Sequence, residues 1–236
     1  MIELRHSTTP RLLNQRKNNP NDNGVPANPR NAWNNFSTEA KREIHNSLTP
    51  LQNGLCVYCE EKLDKYGFHI EHILSKTLNP PLTFEYSNLS LSCIENGAIS
   101  NETTPNPVSC GHAPLKKDNK YDENLFIKPT EIGCNALFQY KSNGEIAPAN
   151  GISTHDVLRV KHTIEVLNLN CLRLKRYRRE IINEGLNIIL DLNDDSEALQ
   201  NFLDLEFEVV NNKYVFPFIS IRKQYYSLFR DYSLIE

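Results

Sequence analysis

Leu55-Cys56-Val57-Tyr58-Cys59-Glu60 and, shortly after it, His69-Ile70-Glu71-His72-Ile73 are the stretches that decide the fold. The cysteine pair follows Asn53-Gly54, so the C-x-x-C unit sits on a tight turn that brings both sulfurs to one side. Two thiolates so placed can share one ion, and zinc asks for four ligands in a tetrahedron. Cys93 and Cys110 are the candidates for the second pair, because the stretch between them, with a glycine and two prolines, can loop out without straining a clamp. A thiol-redox reading of the C-x-x-C unit needs a βαβ context, and none is visible around Cys56. Cys134 and Cys171 are left over, and Cys171, between two apolar helices, reads as a small buried hydrophobe.

His69-Ile70-Glu71-His72 alternates at period two, as in a strand with His69 and Glu71 on one face and Ile70 and His72 on the other. A bend at the strand end could still bring Glu71 and His72 round one small site. A carboxylate that holds a divalent ion beside an imidazole that takes a proton from water suits metal-assisted hydrolysis. Leu89-Ser90-Leu91-Ser92 also alternates and suits a second strand.

Outward from this segment, residues 1–36 form an Asn- and Pro-rich arm, expected as an extended or irregular stretch, either a mobile tail or a docking arm. Ser37 has the character of an N-cap, Ala40, Ile44 and Leu48 repeat at helical spacing, and Pro50 is expected to stop the helix. Residues 37–150 are expected as the metal-organised core and 151–236 as a helical region with a hairpin. In the latter, Ser153-Thr154-His155-Asp156 caps a helix through Val157, Val160, Ile164 and Leu167, and a second runs from about Leu172 to Leu190. Leu174, Tyr177, Ile181 and Ile189 are its expected core contacts, and its first half is basic, with Arg173, Lys175, Arg176, Arg178 and Arg179. A third helix follows Ser196, Glu206–Val210 and Tyr214–Phe218 flank a hairpin turn, and a last helix is expected over Ile221–Tyr232 with Tyr225, Leu228 and Phe229 inward.

The chain has 236 residues, 39% hydrophobic and 23% charged, which is ordinary for one large globular domain or two small ones. Lys+Arg is 26 against Asp+Glu 29, a formal net charge of −3, which excludes a strongly basic nucleic-acid wrapper and leaves any such contact to a local patch or a partner. No apolar run is long enough for a membrane span and the first residues lack the apolar core of a signal peptide, so a cytoplasmic location without membrane contact is expected. In that reducing setting the six cysteines read as thiols or metal ligands.

Cys56-Val57-Tyr58-Cys59, Glu71-His72-Ile73, Ser87-Asn88-Leu89-Ser90-Leu91-Ser92-Cys93 and Cys110-Gly111-His112 stand in the order of the HNH nuclease motif. More narrowly, Leu51 to Glu60, His69 to His72, Phe84 to Leu89 and Ser109 to His112 resemble the PtuB family, the HNH proteins of Septu and retron-associated anti-phage systems. The clear match covers about residues 40–150. The resemblance implies an α+β fold: a treble-clef-like ββα-metal core, zinc-stabilised, with a mainly helical C-terminal extension. It implies His72 as general base, Glu71 and His112 as ligands of a catalytic Mg²⁺ or Mn²⁺, Asn88 as the brace of the loop carrying His72, and Cys56, Cys59, Cys93 and Cys110 on a structural Zn²⁺. His69 could be a third ligand, an outer donor or a surface histidine, with the outer donor favoured. Glu71 stands where the superfamily commonly has Asp, Ser75 where Pro is frequent, and His112 two residues past Cys110 rather than one.

The function so implied is a metal-dependent endonuclease that hydrolyses phage or plasmid DNA, the nuclease subunit of a defence complex with a PtuA-like ATPase. Lys116, Lys117 and Lys120 would project near the scissile phosphate, and Arg173 and Arg176 on the basic helix are the other candidate contacts. The competing readings are a non-catalytic zinc-organised module that docks an ATPase or nucleic acid, and a thiol-redox protein.

Overall fold

A computed structural model describes residues 1–65, 67–94, 108–117, 121–192 and 194–230; the side chains of Lys117, Leu228 and Arg230 lie outside the description. The chain runs α1 (Arg11–Lys17), α2 (Pro29–Asn34), α3 (Thr38–Leu51), β1 (Phe68–His72), β2 (Leu89–Cys93), β3 (Phe138–Tyr140), β4 (Ile146–Pro148), α4 (Thr154–Val166), α5 (Leu172–Asp191), α6 (Ser196–Glu206), β5 (Val209–Val210), β6 (Lys213–Tyr214) and α7 (Ile219–Arg230). This is an α+β architecture, with its strands in three antiparallel pairs and its C-terminal part largely helical. Among the described residues no helix is long and apolar enough to cross a membrane.

Local rules account for most of the elements. Ser37 Oγ accepts from the amide of Ala40, and α3 buries Ala40, Ile44 and Leu48 along one face. Pro50 does not stop this helix; it sits in the last turn, which closes at Leu51. Ser153 Oγ caps α4 through the amide of Asp156. Asn211 and Asn212 both take positive φ, as a two-residue hairpin turn requires, and so join strands of only two residues each. In α7 the fully buried tyrosine is Tyr226, with Tyr225 half-buried. Residues 231–236, where the expected last helix would end, lie outside the described residues.

The N-terminal arm departs from expectation. Its Asn and Pro turns are real, but Met1, Leu4, Leu13 and Trp33 are buried in the main core, and the Met1 ammonium pairs with buried Glu60 at 2.9 Å. Burying four apolar side chains outweighs the turn propensity of the residues between them. One hydrophobic cluster thus runs from Met1 through the cysteine turn and both core strands to α4, α5 and Ile221. A smaller cluster, Ile189, Leu199, Leu203 and Tyr226, joins α5, α6 and α7.

β1 and β2 pair with His69 opposite Ser92, Glu71 opposite Ser90 and His72 opposite Leu89. Fully buried Gln52 fastens the cysteine turn to them: its Nε2 donates to the carbonyls of Leu55 and Leu91, and its Oε1 accepts from the amide of Leu91. The stretch that directly follows β2, residues 95–107, lies outside the described residues, and beyond it stand two 3₁₀ turns, Cys110–His112 and Pro114–Lys117. Cys110 takes a positive φ of 63°, and Pro114 has no amide to continue the first turn into the second.

Candidate metal centre and cleft

Cys56, Cys59, Cys93 and Cys110 are all buried, and their four sulfurs lie within 4.8 Å of one another. Zinc–sulfur bonds of about 2.3 Å in a tetrahedron set neighbouring sulfurs roughly 3.8 Å apart, and Cys59 Sγ lies 3.6 Å from Cys93 Sγ. Burial opposes ionisation of Cys56, yet the thiols of Cys110, Cys59 and Cys93 pull its pKa well down. Cys93, hydrogen-bonded to the other three, and Cys110, buried, are both held up. The donor set fits a structural zinc.

Two hydroxyls border the sulfurs: Ser92 Oγ lies 3.8 Å from Cys56 Sγ and Ser109 Oγ 3.6 Å from Cys110 Sγ. Gly111 N donates to Ser92 Oγ at 3.0 Å and Arg173 Nη2 to Ser109 Oγ at 3.0 Å, which leaves each hydroxyl hydrogen for the neighbouring sulfur.

Arg173 corrects an expectation. It is 3% exposed and faces the cysteine cluster, so it is not placed to meet a phosphate. Burial works against its charge, but the sulfurs of Cys59, Cys93, Cys110 and Cys171 outweigh it and push the guanidinium pKa up. Arg178 is also buried and donates to the carbonyl of Leu169. Arg176 is exposed and lies 3.7 Å from Glu180 on the same helix.

His69, Glu71, His72 and His112 line one open cleft of about 350 Å³, together with Arg30, Trp33, Lys76 and Lys116. His69 and His112 each turn Nδ1 to the carbonyl of Ile94, at 3.2 and 2.9 Å, and their rings lie 3.8 Å apart. A carbonyl only accepts, so both Nδ1 atoms carry the proton. Nε2 of His69 meets Glu71 Oε2 at 3.1 Å. Lys116, 7% exposed at its side chain, places its ammonium on Glu71 Oε1, 3.2 Å from the Tyr58 hydroxyl and 3.2 Å from the His72 carbonyl. Lys116 is thus sunk in the cleft wall and does not project from it; the Lys117 side chain and Lys120 lie outside the described residues.

Glu71 therefore meets the Lys116 ammonium on one oxygen and the His69 ring on the other. A mixed carboxylate–imidazole set suits a divalent ion such as Mn²⁺ or Mg²⁺. Among the described residues the four cysteines are the one donor group that closes within 4.8 Å, so His69, Glu71 and His112 ring a wider space.

His72 stands at the end of β1, 7% exposed, with Trp33 edge-on at 4.4 Å between ring centroids. Its Nε2 lies 3.0 Å from the Thr83 carbonyl, so Nε2 donates and Nδ1 keeps the lone pair. Lys76 Nζ is 3.5 Å from that Nδ1. Burial first, then the charge of Lys76, holds the His72 pKa down to about 3, and the ring is neutral. Asn88, 5% exposed, clasps the chain beyond His72: Oδ1 accepts from Leu74 N at 2.8 Å, and Nδ2 donates to the carbonyls of Leu74 and Leu82 at 3.0 and 3.2 Å. The sequence missed Arg30, Trp33 and Lys76 at this cleft, since two come from the arm and none belongs to a recognisable motif.

Comparison with known proteins supplies the family. The chain is 33% identical to "Retron Vc95 putative HNH endonuclease" of Vibrio cholerae, over 68% of this chain and 74% of that protein. This chain belongs to the retron-associated HNH endonuclease family. A second member, "Retron Ec83 putative HNH endonuclease" of Escherichia coli, is 28% identical over 66% of this chain and 72% of its own length. No protein-family model matches the chain. As a member of the retron HNH family, it joins a four-cysteine cluster and a His-Glu-His-Lys cleft through the contiguous residues Cys110-Gly111-His112.

Proposed function

We propose that this chain is a metal-dependent HNH endonuclease that hydrolyses DNA phosphodiester bonds. The observation that carries the reading is the state of His72: its Nε2 is committed to the Thr83 carbonyl and its Nδ1 lone pair faces the cleft that Glu71, His69 and His112 also line. His72 is the general base, taking a proton from water at Nδ1. Asn88 fixes the backbone of residues 74 and 82 and so holds the ring in its pocket. Glu71 and His112 would hold the divalent ion, with His69 at the edge of that set. When bound there, the ion supplies charge to offset the negative charge that builds on a phosphoryl oxygen. Lys116 holds the Glu71 carboxylate turned inward. Cys56, Cys59, Cys93 and Cys110 would hold a structural zinc that fixes β2 and the 108–112 loop in place.

The names of the relatives support a nuclease of a retron system. A partner ATPase of the PtuA kind rests on the family resemblance. The net charge of −3 and the exposed Ile188, Leu190, Leu205, Val209 and Val210 of the C-terminal region are consistent with docking there.

Plasmid nicking with Mn²⁺ or Mg²⁺, with and without the ATPase, tests the reading. Wild type should nick, while His72→Ala should lose nicking and keep its zinc. Equal nicking by both proteins excludes His72 as the base.

A further inference from the structure

The His72 side of the cleft carries two cations outside the metal-binding set. Arg30 lies on α2 one turn before Trp33, so both face the same way. Trp33 is 8% exposed and wedged against His72, Phe36 and Phe84, and it fixes where the helix sits. Arg30 is thereby brought, solvent-exposed, to the rim of the cleft. Among the described residues no carboxylate lies within ion-pair distance of it. Lys76 also lines the cleft, 3.5 Å from His72 Nδ1. Glu71 is the one carboxylate among the described lining residues, against Arg30, Lys76 and Lys116. A chain of net charge −3 therefore concentrates positive charge at this cleft.

We infer that Arg30 and Lys76 clamp the phosphodiester backbone of DNA on the His72 side of the cleft, so that the N-terminal arm is part of the substrate site. The inference rests on the nuclease reading above and adds to it where the backbone lies. A water that gives its proton to Nδ1 sits within hydrogen-bond reach of that atom, about 3 Å away. The phosphorus it attacks lies one near-attack distance further, about 3–3.5 Å. Lys76 already reaches Nδ1, so the oxygens of that phosphate fall within its range, and Arg30 can meet the same or the adjacent phosphate with its planar fork. Neither contact reads a base, so the clamp is indifferent to sequence.

The test is the binding of a fluorescein-labelled 20-base-pair duplex to the full chain by anisotropy, without added divalent cation, over a series of salt concentrations. Arg30→Ala and Lys76→Ala should each weaken binding and each lower the slope of log K against log salt by about one. Arg30→Lys should restore the slope. Lys161→Ala, a change at an exposed lysine on α4, should leave binding as in wild type. Thermal midpoints of all four variants within the error of wild type show that the fold is kept. If wild type binds and nicks DNA while Arg30→Ala and Lys76→Ala match it in affinity and slope, the clamp is overturned and the nuclease stands. A wild type that neither binds nor nicks overturns both.

Discussion

An alanine at position 111 would drive a methyl group into the seat of the Glu71 carboxylate. Its Cβ would lie 2.5 Å from Glu71 Oε2, 2.6 Å from Glu71 Cδ and 2.7 Å from His69 Nε2. Comfortable contact needs about 3.5 Å, so the carboxylate must retreat by about 1 Å. The backbone cannot yield easily instead. Gly111 N is tied to Ser92 Oγ, which borders Cys56 Sγ, and Cys110 beside it belongs to the sulfur cluster. The strain therefore falls on Glu71 and His69. Overpacking of this kind costs about 1–3 kcal/mol of stability, and a 1 Å misplacement of a reacting group costs about a hundredfold in rate. Gly111→Ala is expected to keep about one zinc per chain, lose a few degrees of thermal midpoint and nick plasmid about a hundredfold more slowly in Mn²⁺. Adding Glu71→Asp shortens the acid by one carbon and draws it off the methyl group, so the double variant should recover part of the loss. Wild-type nicking by Gly111→Ala would show that the carboxylate is not needed where the structure puts it. Loss of zinc would show that the cysteine cluster, not the cleft, absorbs the strain.

Three further outcomes follow from other contacts. Arg173→Met removes the buried cation beside the sulfurs, and metal affinity, read by competition with a chromophoric chelator, should fall about 10–100-fold, with Arg173→Lys closer to wild type. Asn88→Ala strands the amide of Leu74 and two carbonyls; unfolding in urea should show a loss of about 1–3 kcal/mol, and nicking should fall further than stability because the loop after His72 loosens. Glu60 is buried, which alone would raise its pKa, but the Met1 ammonium and the amide and hydroxyl of Ser220 outweigh burial and hold it below the usual range. Its contribution is therefore full above the unfolded carboxyl pKa of about 4.3 and is lost as pH falls through the lower folded value. Glu60→Gln should be clearly less stable at pH 7, and the gap to wild type should close in acid; a gap that persists at pH 2 would refute the assignment.

How far the sequence could be read depends on the range over which its signals act. Ser37 with Ala40, Ile44 and Leu48 is a local pattern, and the helix follows it to within one residue. The cysteine pairs are long-range, but thiols in this arrangement have few other uses, and the four do meet. The arm was hidden because Met1, Leu4, Leu13 and Trp33 are too sparse to show a period while the Asn and Pro turns between them are conspicuous. The burial of Arg173 and Arg178 was hidden for a related reason. Their acceptors, Ser109 Oγ and the Leu169 carbonyl, are set by loops that composition does not place. Arg30 and Lys76 carry no motif at all and gain meaning only from their distance to His72.

The C-terminal helices bear on the cleft more directly than their place in the chain suggests. The loop that returns to the cluster at Val108 is fastened from that side by three bonds: Cys110 N to the Leu167 carbonyl at 2.8 Å, Asn168 Nδ2 to the Val108 carbonyl at 2.9 Å and Arg173 Nη2 to Ser109 Oγ at 3.0 Å. Within the next residues the same loop gives a sulfur to the cluster, packs against Glu71 and carries the His112 ring. A shift of the α4–α5 turn is therefore carried to the cleft through these three bonds. A contact at the α4–α5 turn would have a route to Glu71 and His112 only a few residues long, and that route passes through the cysteine cluster.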